Sequence, residues 1–155
     1  MNNETFNPAS QPSVPENTSS IVDSLAQLSY VIQSVLGRSG AVYDLSPIQL
    51  RLLGILRDRE PSMKQLAERL ELDKSSITGL IDRAERRHLV ERIPSPEDRR
   101  GFNVRLTPDG RRIAREIGGE IERRIGELAG VLTEAERGQL ASLALKVAEA
   151  RSGPD

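Results

Sequence analysis

The residues best equipped for chemistry lie between Lys74 and Arg100. Lys74, Ser75, Ser76 and Thr78 open one segment, Arg83, Arg86 and Arg87 follow along it, and Arg99 and Arg100 stand in a later loop. Short hydroxyls can exchange hydrogen bonds with the edges of bases, and long cations neutralise phosphates. In the same segment Ile77, Leu80, Ile81 and Ala84 recur at i, i+3, i+4 and i+7. That spacing buries one face of a helix over about 73–88 and leaves the polar set outside. Asp73 stands where it can cap the first turn. A protruding helix start with small hydroxyls and one lysine suits approach to a nucleic-acid groove. Taken alone, it is equally a solvated polar face.

The following residues tip that balance. Val90–Ile93 and Phe102–Leu106 alternate apolar and polar side chains, as half-buried strands do. Between them runs PSPEDRRG, a loop by its two prolines and glycine, with Asp98, Arg99 and Arg100 near its tip. A two-stranded ribbon ending in arginine is shaped for a DNA minor groove, whose negative potential attracts guanidinium.

Other chemistries lack their residues. The chain has no Cys and one His, which excludes disulfides, thiol catalysis and redox sensing through thiols, and a His-rich metal site. No phosphate-binding glycine loop, metal cluster or nucleophile with a base partner is present, so no catalytic residues, no metal and no cofactor are expected. Net charge is −1 over 155 residues, but the distribution is uneven. From Asp73 to Arg115 there are eleven Lys or Arg against seven Asp or Glu, a local +4 that leaves −5 for the rest. A basic patch on a mildly acidic body is the footprint of a nucleic-acid binder. No apolar run approaches a membrane span and the N-terminus lacks a signal pattern, so a cytoplasmic protein is expected.

The elements that must position these residues follow in chain order. Residues 1–18 are rich in Asn, Pro, Ser and Thr and read as a disordered tail. Ser19–Leu36 reads as a helix with one stripe of Ile21, Leu25, Leu28, Ile32, Val35 and Leu36, capped by Ser20 with Asp23; with a loop at Gly37–Leu45 it fills region 19–45. Ser46-Pro47-Ile48-Gln49 is a capping box with proline at the first helical position, and Ser62 with Gln65 is a second box. The second box opens a helix of about Met63–Leu70. A tight turn through Glu71-Leu72-Asp73 then makes a helix-turn-helix. With the ribbon, this defines a DNA-binding unit over 46–106. Thr107-Pro108 starts a long helix with Ile113, Ile117, Ile121, Ile125 and Leu128 inside; Gly118-Gly119 predicts either a bend or the close approach of another backbone. Thr133 with Glu136 caps a last helix with Leu140, Leu143, Ala144 and Val147 inside. Region 107–152, like the first helix, has more apolar surface than one winged helix needs, and dimerisation is the economical account. The fold class is mostly α with a small β-wing: a winged helix-turn-helix between N- and C-terminal dimerisation helices.

Asp98–Gly110, DRRGFNVRLTPDG, resembles the signature of the MarR (multiple-antibiotic-resistance) family, with Asp98, Arg100, Leu106, Thr107 and Gly110 matching its pattern. Leu45-Ser46-Pro47-x-Gln49-x-x-Leu52-Leu53 and Leu72–Thr78 resemble its second helix and helix-turn-helix. The resemblance implies a homodimeric transcriptional regulator, a repressor in the first instance or an activator, on a pseudo-palindromic operator. Each recognition helix would enter a major groove and each wing a minor groove. It implies that Arg100 inserts, that Asp98 holds it in place, and that Arg99 touches phosphate. It also implies release by a small aromatic or phenolic effector, for which Tyr30 and Tyr43 are the candidate ligand-binding residues. His88 departs from the family's usual glycine at the end of the recognition helix. A winged-helix module that binds another protein, without specific DNA binding, is the rival reading.

Overall fold

The computed structural model describes residues 20–151, so the tail over 1–18 lies outside it. Six helices and a two-stranded antiparallel sheet follow in the order α1 (Ile21–Ala41), α2 (Pro47–Leu56), α3 (Met63–Leu70), α4 (Lys74–Arg86), β1 (Val90–Pro94), β2 (Phe102–Leu106), α5 (Pro108–Leu128) and α6 (Glu134–Arg151). A single 3-10 turn, Ala129–Val131, joins the last two helices.

Side-chain caps set most of these starts. Ser46 with Gln49 and Ser62 with Gln65 form complete capping boxes, with Pro47 at the first position of α2. Asp73 accepts the Ser76 N–H at 2.7 Å and opens α4, and Thr107 accepts the Gly110 N–H at 2.9 Å and opens α5. Each satisfies an amide that the helix itself leaves unpaired. β1 and β2 pair from Val90 with Leu106 to Pro94 with Phe102.

The core belongs to the middle of the chain. Leu45, Leu52, Leu53, Leu56, Leu66, Leu70, Ile77, Leu80, Ile81, Val104 and Leu106 are buried together with Ala114 and Ile117 of α5. Gly110 is what lets α5 begin against the ribbon: a Cβ there would overlap the Leu89 carbonyl oxygen. His88 takes the left-handed backbone that its place suggests, with φ 56°, and its N–H donates to the Glu85 carbonyl at 2.8 Å.

Three expectations need correction. Helix α1 runs on to Ala41 rather than ending at Leu36. Gly40 is buried, and the Tyr43 and Leu45 amides both donate to its carbonyl at 3.0 Å, so the helix closes there. Phe102 does not share the inward face of β2 with Val104 and Leu106; it is 50% exposed, since the strand lifts off the core at the wing. Leu140, Leu143 and Val147 of α6 are exposed rather than inside, because that helix has no apolar surface of its own protomer to lie on. At Gly118 and Gly119 no other backbone of the same protomer comes close: a Cβ at either finds nothing within 4 Å, and α5 continues through both.

Candidate nucleic-acid interface

Helix α4 turns Ile77, Leu80, Ile81 and Ala84 inward and leaves Lys74, Ser75, Ser76, Thr78, Arg83, Arg86 and Arg87 exposed. The hydroxyls differ in what they do. Ser76 donates to the Asp73 carboxylate at 2.8 Å and Thr78 donates to the Lys74 carbonyl at 2.8 Å, while Ser75 makes no such bond among the described residues. Ser76 and Thr78 therefore meet a partner first as acceptors, their protons being engaged within the helix. The Asp73 carboxyl is held below its ordinary value because the Ser76 amide and hydroxyl donate to it.

The wing tip is shaped by Asp98. Its carboxylate accepts the Arg100 N–H at 2.9 Å, and its carbonyl accepts the Gly101 N–H at 2.9 Å. Ser95 Oγ accepts the amides of Glu97 and Asp98 at 3.3 Å. Gly101 allows this turn, since a Cβ there would stand 3.0 Å from an Asp98 carboxylate oxygen. Asp98 thus sets the backbone from which the Arg100 side chain projects.

The cations of this region divide sharply. In the strands, Arg92 binds Asp82 at 2.7 Å and also Glu85, and Arg105 binds Glu91 at 2.7 Å. At the helix and wing tip, the side chains of Lys74, Arg83, Arg86, Arg99 and Arg100 are exposed and make no ion pair or hydrogen bond among the described residues. Arg87 differs from both groups: its guanidinium donates to the backbone carbonyls of Tyr43 and Asp44.

The chain belongs to the MarR family. The MarR family model matches residues 43–101. The HTH-type transcriptional repressor MdtR of Bacillus subtilis is 31% identical over 129 residues, which span 82% of this chain and 83% of that protein. Among solved structures, the transcriptional repressor CouR bound to a 23-mer DNA duplex superposes with a TM-score of 0.73 at 23% identity, covering 90% of this chain and 99% of that one. NadR in complex with 4-hydroxyphenylacetate gives 0.70 at 24% identity over 89% and 98%. At those identities the two structures attest the fold. The MarR relatives are transcriptional regulators and not enzymes, and the helices and two-stranded wing are those of the family's winged helix.

The two tyrosines read as ligand-binding candidates lie outside the main cleft. A cleft of about 1120 Å³ opens between α1, α2 and α5, with Leu36, Leu50, Leu53 and Ile117 among its walls and Arg51 and Arg115 beside them. Neither Tyr30 nor Tyr43 lines it. Tyr30 is 72% exposed on α1, and Tyr43 is bonded to Glu116. The sequence carried no sign of the Arg92 clamp or of the Arg87 and Tyr43 bonds. Each joins residues far apart in the chain through atoms at the end of long side chains, where helical or strand period says nothing.

Among the described residues no cluster of His, Asp and Glu could hold a metal, and no helix is long and apolar enough to cross a membrane.

Proposed function

We propose that this MarR-family regulator is a cytoplasmic homodimeric repressor that lays α4 in the major groove and the Arg100 wing tip in the adjacent minor groove. The observation that carries this reading is the division of the cations. The arginines of the strands are held by carboxylates of the protein, whereas five long cations gathered at the helix and wing tip are free to meet phosphates. Phosphates and the minor groove supply the missing negative charge. CouR was captured on a DNA duplex with the same fold, which supports this arrangement.

The second copy covers the apolar faces of α1 and α6. Ile21 and Val22 are 71% and 70% exposed, and Leu25, Leu28, Leu143 and Val147 are exposed with them. Such an area left in water is unusual for a monomer. Two-fold pairing would set the two recognition helices about one DNA turn, roughly 34 Å, apart. In this reading region 19–45 and region 107–152 serve assembly and region 46–106 serves DNA.

The effector site is the cleft between α1, α2 and α5, not the tyrosines. Its apolar walls suit a flat ring and its arginines suit an acid group. NadR holds 4-hydroxyphenylacetate, a ligand of that kind. The test starts with operator DNA recovered by the protein from genomic fragments, whose retention should fall steeply with salt. Adding 4-hydroxyphenylacetate and related aromatic acids should release it from the wild type. Gly118→Leu, whose new side chain has open space beside the cleft, should keep operator binding and lose that release. Retention that ignores salt, or equal retention of all fragments, would refute the DNA reading.

A further inference from the structure

The C-terminal end of the recognition helix is tied to the body of the protein by a chain of hydrogen bonds as well as by core packing. Arg87, the residue after α4, donates from Nη1 to the Asp44 carbonyl at 2.6 Å and from Nη2 to the Tyr43 carbonyl at 2.7 Å. Both carbonyls belong to the turn between α1 and α2, where Asp44 adopts φ 53°. The Tyr43 phenol then donates to Glu116 of α5 at 2.6 Å, and Arg112, one turn earlier on α5, donates to the same carboxylate at 3.2 Å. α4, the turn and α5 are thus joined in series by side-chain bonds.

The chemistry of each link suits positioning. A guanidinium is a planar fork, and two carbonyls held by one turn fix its plane as well as its distance. Both terminal nitrogens of Arg87 are occupied, whereas the neighbouring Arg86 is exposed and has no partner among the described residues. The Tyr43–Glu116 bond is charge-assisted, and such bonds are shorter and stronger than neutral ones. Its effect shows in both partners: the Glu116 carboxyl lies below its ordinary value because Tyr43 and Arg112 donate to it, and the Tyr43 phenol lies above its own because it donates to Glu116.

We infer that Arg87 is a positioning residue and not a phosphate contact: through the Tyr43–Glu116 bond it fixes the recognition helix to α5 and so sets the distance between the two recognition helices of the dimer. This rests on the homodimeric reading above. It removes Arg87 from the DNA-contact set suggested by the sequence and gives Tyr43 a role in place of ligand binding.

The experiment uses the full chain and the operator it retrieves, together with operators lengthened or shortened by one base pair between half-sites. Binding is measured at several salt concentrations for wild type, Arg87→Ala, Tyr43→Phe and Arg86→Ala. Wild type should discriminate against both altered spacings. Arg87→Ala and Tyr43→Phe should each reduce that discrimination at least about threefold with the salt slope unchanged, and the double variant should be no worse than Arg87→Ala. Arg86→Ala should keep the spacing preference and lower the magnitude of the slope by about 1.8, one phosphate contact in each half-site. If Arg87→Ala lowers the slope and keeps the preference, Arg87 is a phosphate contact and the inference fails. If both variants keep slope and preference, the bonds position nothing and it fails equally. Should Arg87→Ala not fold, Tyr43→Phe, which removes a single oxygen, carries the test alone. A wild type indifferent to spacing would instead overturn the two-half-site reading itself, and this inference with it.

Discussion

The winged module and the flanking helices are built from the same periodic pattern, yet they end in opposite states. Leu66, Ile77, Leu80 and Ile81 follow a helical spacing and are sealed inside the protomer. Ile21, Leu25, Leu28, Leu143 and Val147 follow helical spacings too and stand in water. The module is complete within one chain because α2, α3, α4, β2 and the first turns of α5 surround a common centre. The flanking helices have no such centre. A hydrophobic stripe therefore says that a face is to be covered, but not by which chain. The number of faces that meet inside one protomer decides that.

The two regions should respond differently to a charge placed on the exposed face and to a cavity opened in the sealed core. Leu143→Asp should convert a dimer to a monomer, since two-fold symmetry places every change in the interface twice, while the module keeps its fold. Sedimentation velocity at micromolar concentration together with circular dichroism checks this. A Leu143→Asp protein that remains dimeric would remove α6 from the interface. Leu66→Ala, by contrast, should cost roughly 2–5 kcal/mol of stability, as core truncations do, with a melting shift independent of protein concentration. A concentration-dependent shift would mean that the module is not self-sufficient.

The comparison also separates what a sequence discloses from what it withholds. The caps Ser46, Ser62, Asp73 and Thr107, the α3 bounds and the strand Phe102–Leu106 were legible because each depends on neighbours within about four residues. The face of α6 read as inside its own protomer is exposed, because burial there depends on another surface. Gly37 was read as the start of a loop, but the helix continues past it to Ala41, with Gly40 buried in its last turn. At the interface, the residue types of α4 and the wing were legible. The partners of Arg87, Arg92 and Tyr43 were not, since they are separated by up to 73 residues in the chain.

Within the module, the wing and the helix should fail in different ways. Arg100→Ala should weaken operator binding by roughly 1–3 kcal/mol with the dimer intact. Unchanged affinity in a folded Arg100→Ala protein would exclude insertion into the minor groove. Thr78→Ala is a smaller change of another kind. Its hydroxyl proton is engaged by the Lys74 carbonyl, so only its acceptor lone pairs and methyl face outward. It should shift preference among operator variants with little change in salt slope, as measured with a small operator library. If Thr78→Ala changed only the salt slope, the orientation assigned to α4 in the groove would be wrong.

The smallest expected effect lies in α5 where it leaves the core. Glu120 accepts bonds from Arg123, at 3.0 and 3.1 Å, and from Arg124. These donors hold its carboxyl at about 2, against an ordinary 4.5. The folded state therefore binds this proton less readily than the unfolded chain does. Its stabilising contribution is present above about 4.5 and is lost as pH falls toward 2. The three side chains are partly exposed, at 35% for Glu120, 54% for Arg123 and 32% for Arg124, so solvent screens the interaction and the effect on melting is small. Glu120→Gln should melt slightly below the wild type at neutral pH, and the two curves should converge near pH 2. The melting of the monomer, followed in a Leu143→Asp background, should show the same convergence, because all three residues belong to one helix of one protomer. Convergence only in the dimer would mean that Glu120 is held by the second copy and not by Arg123 and Arg124.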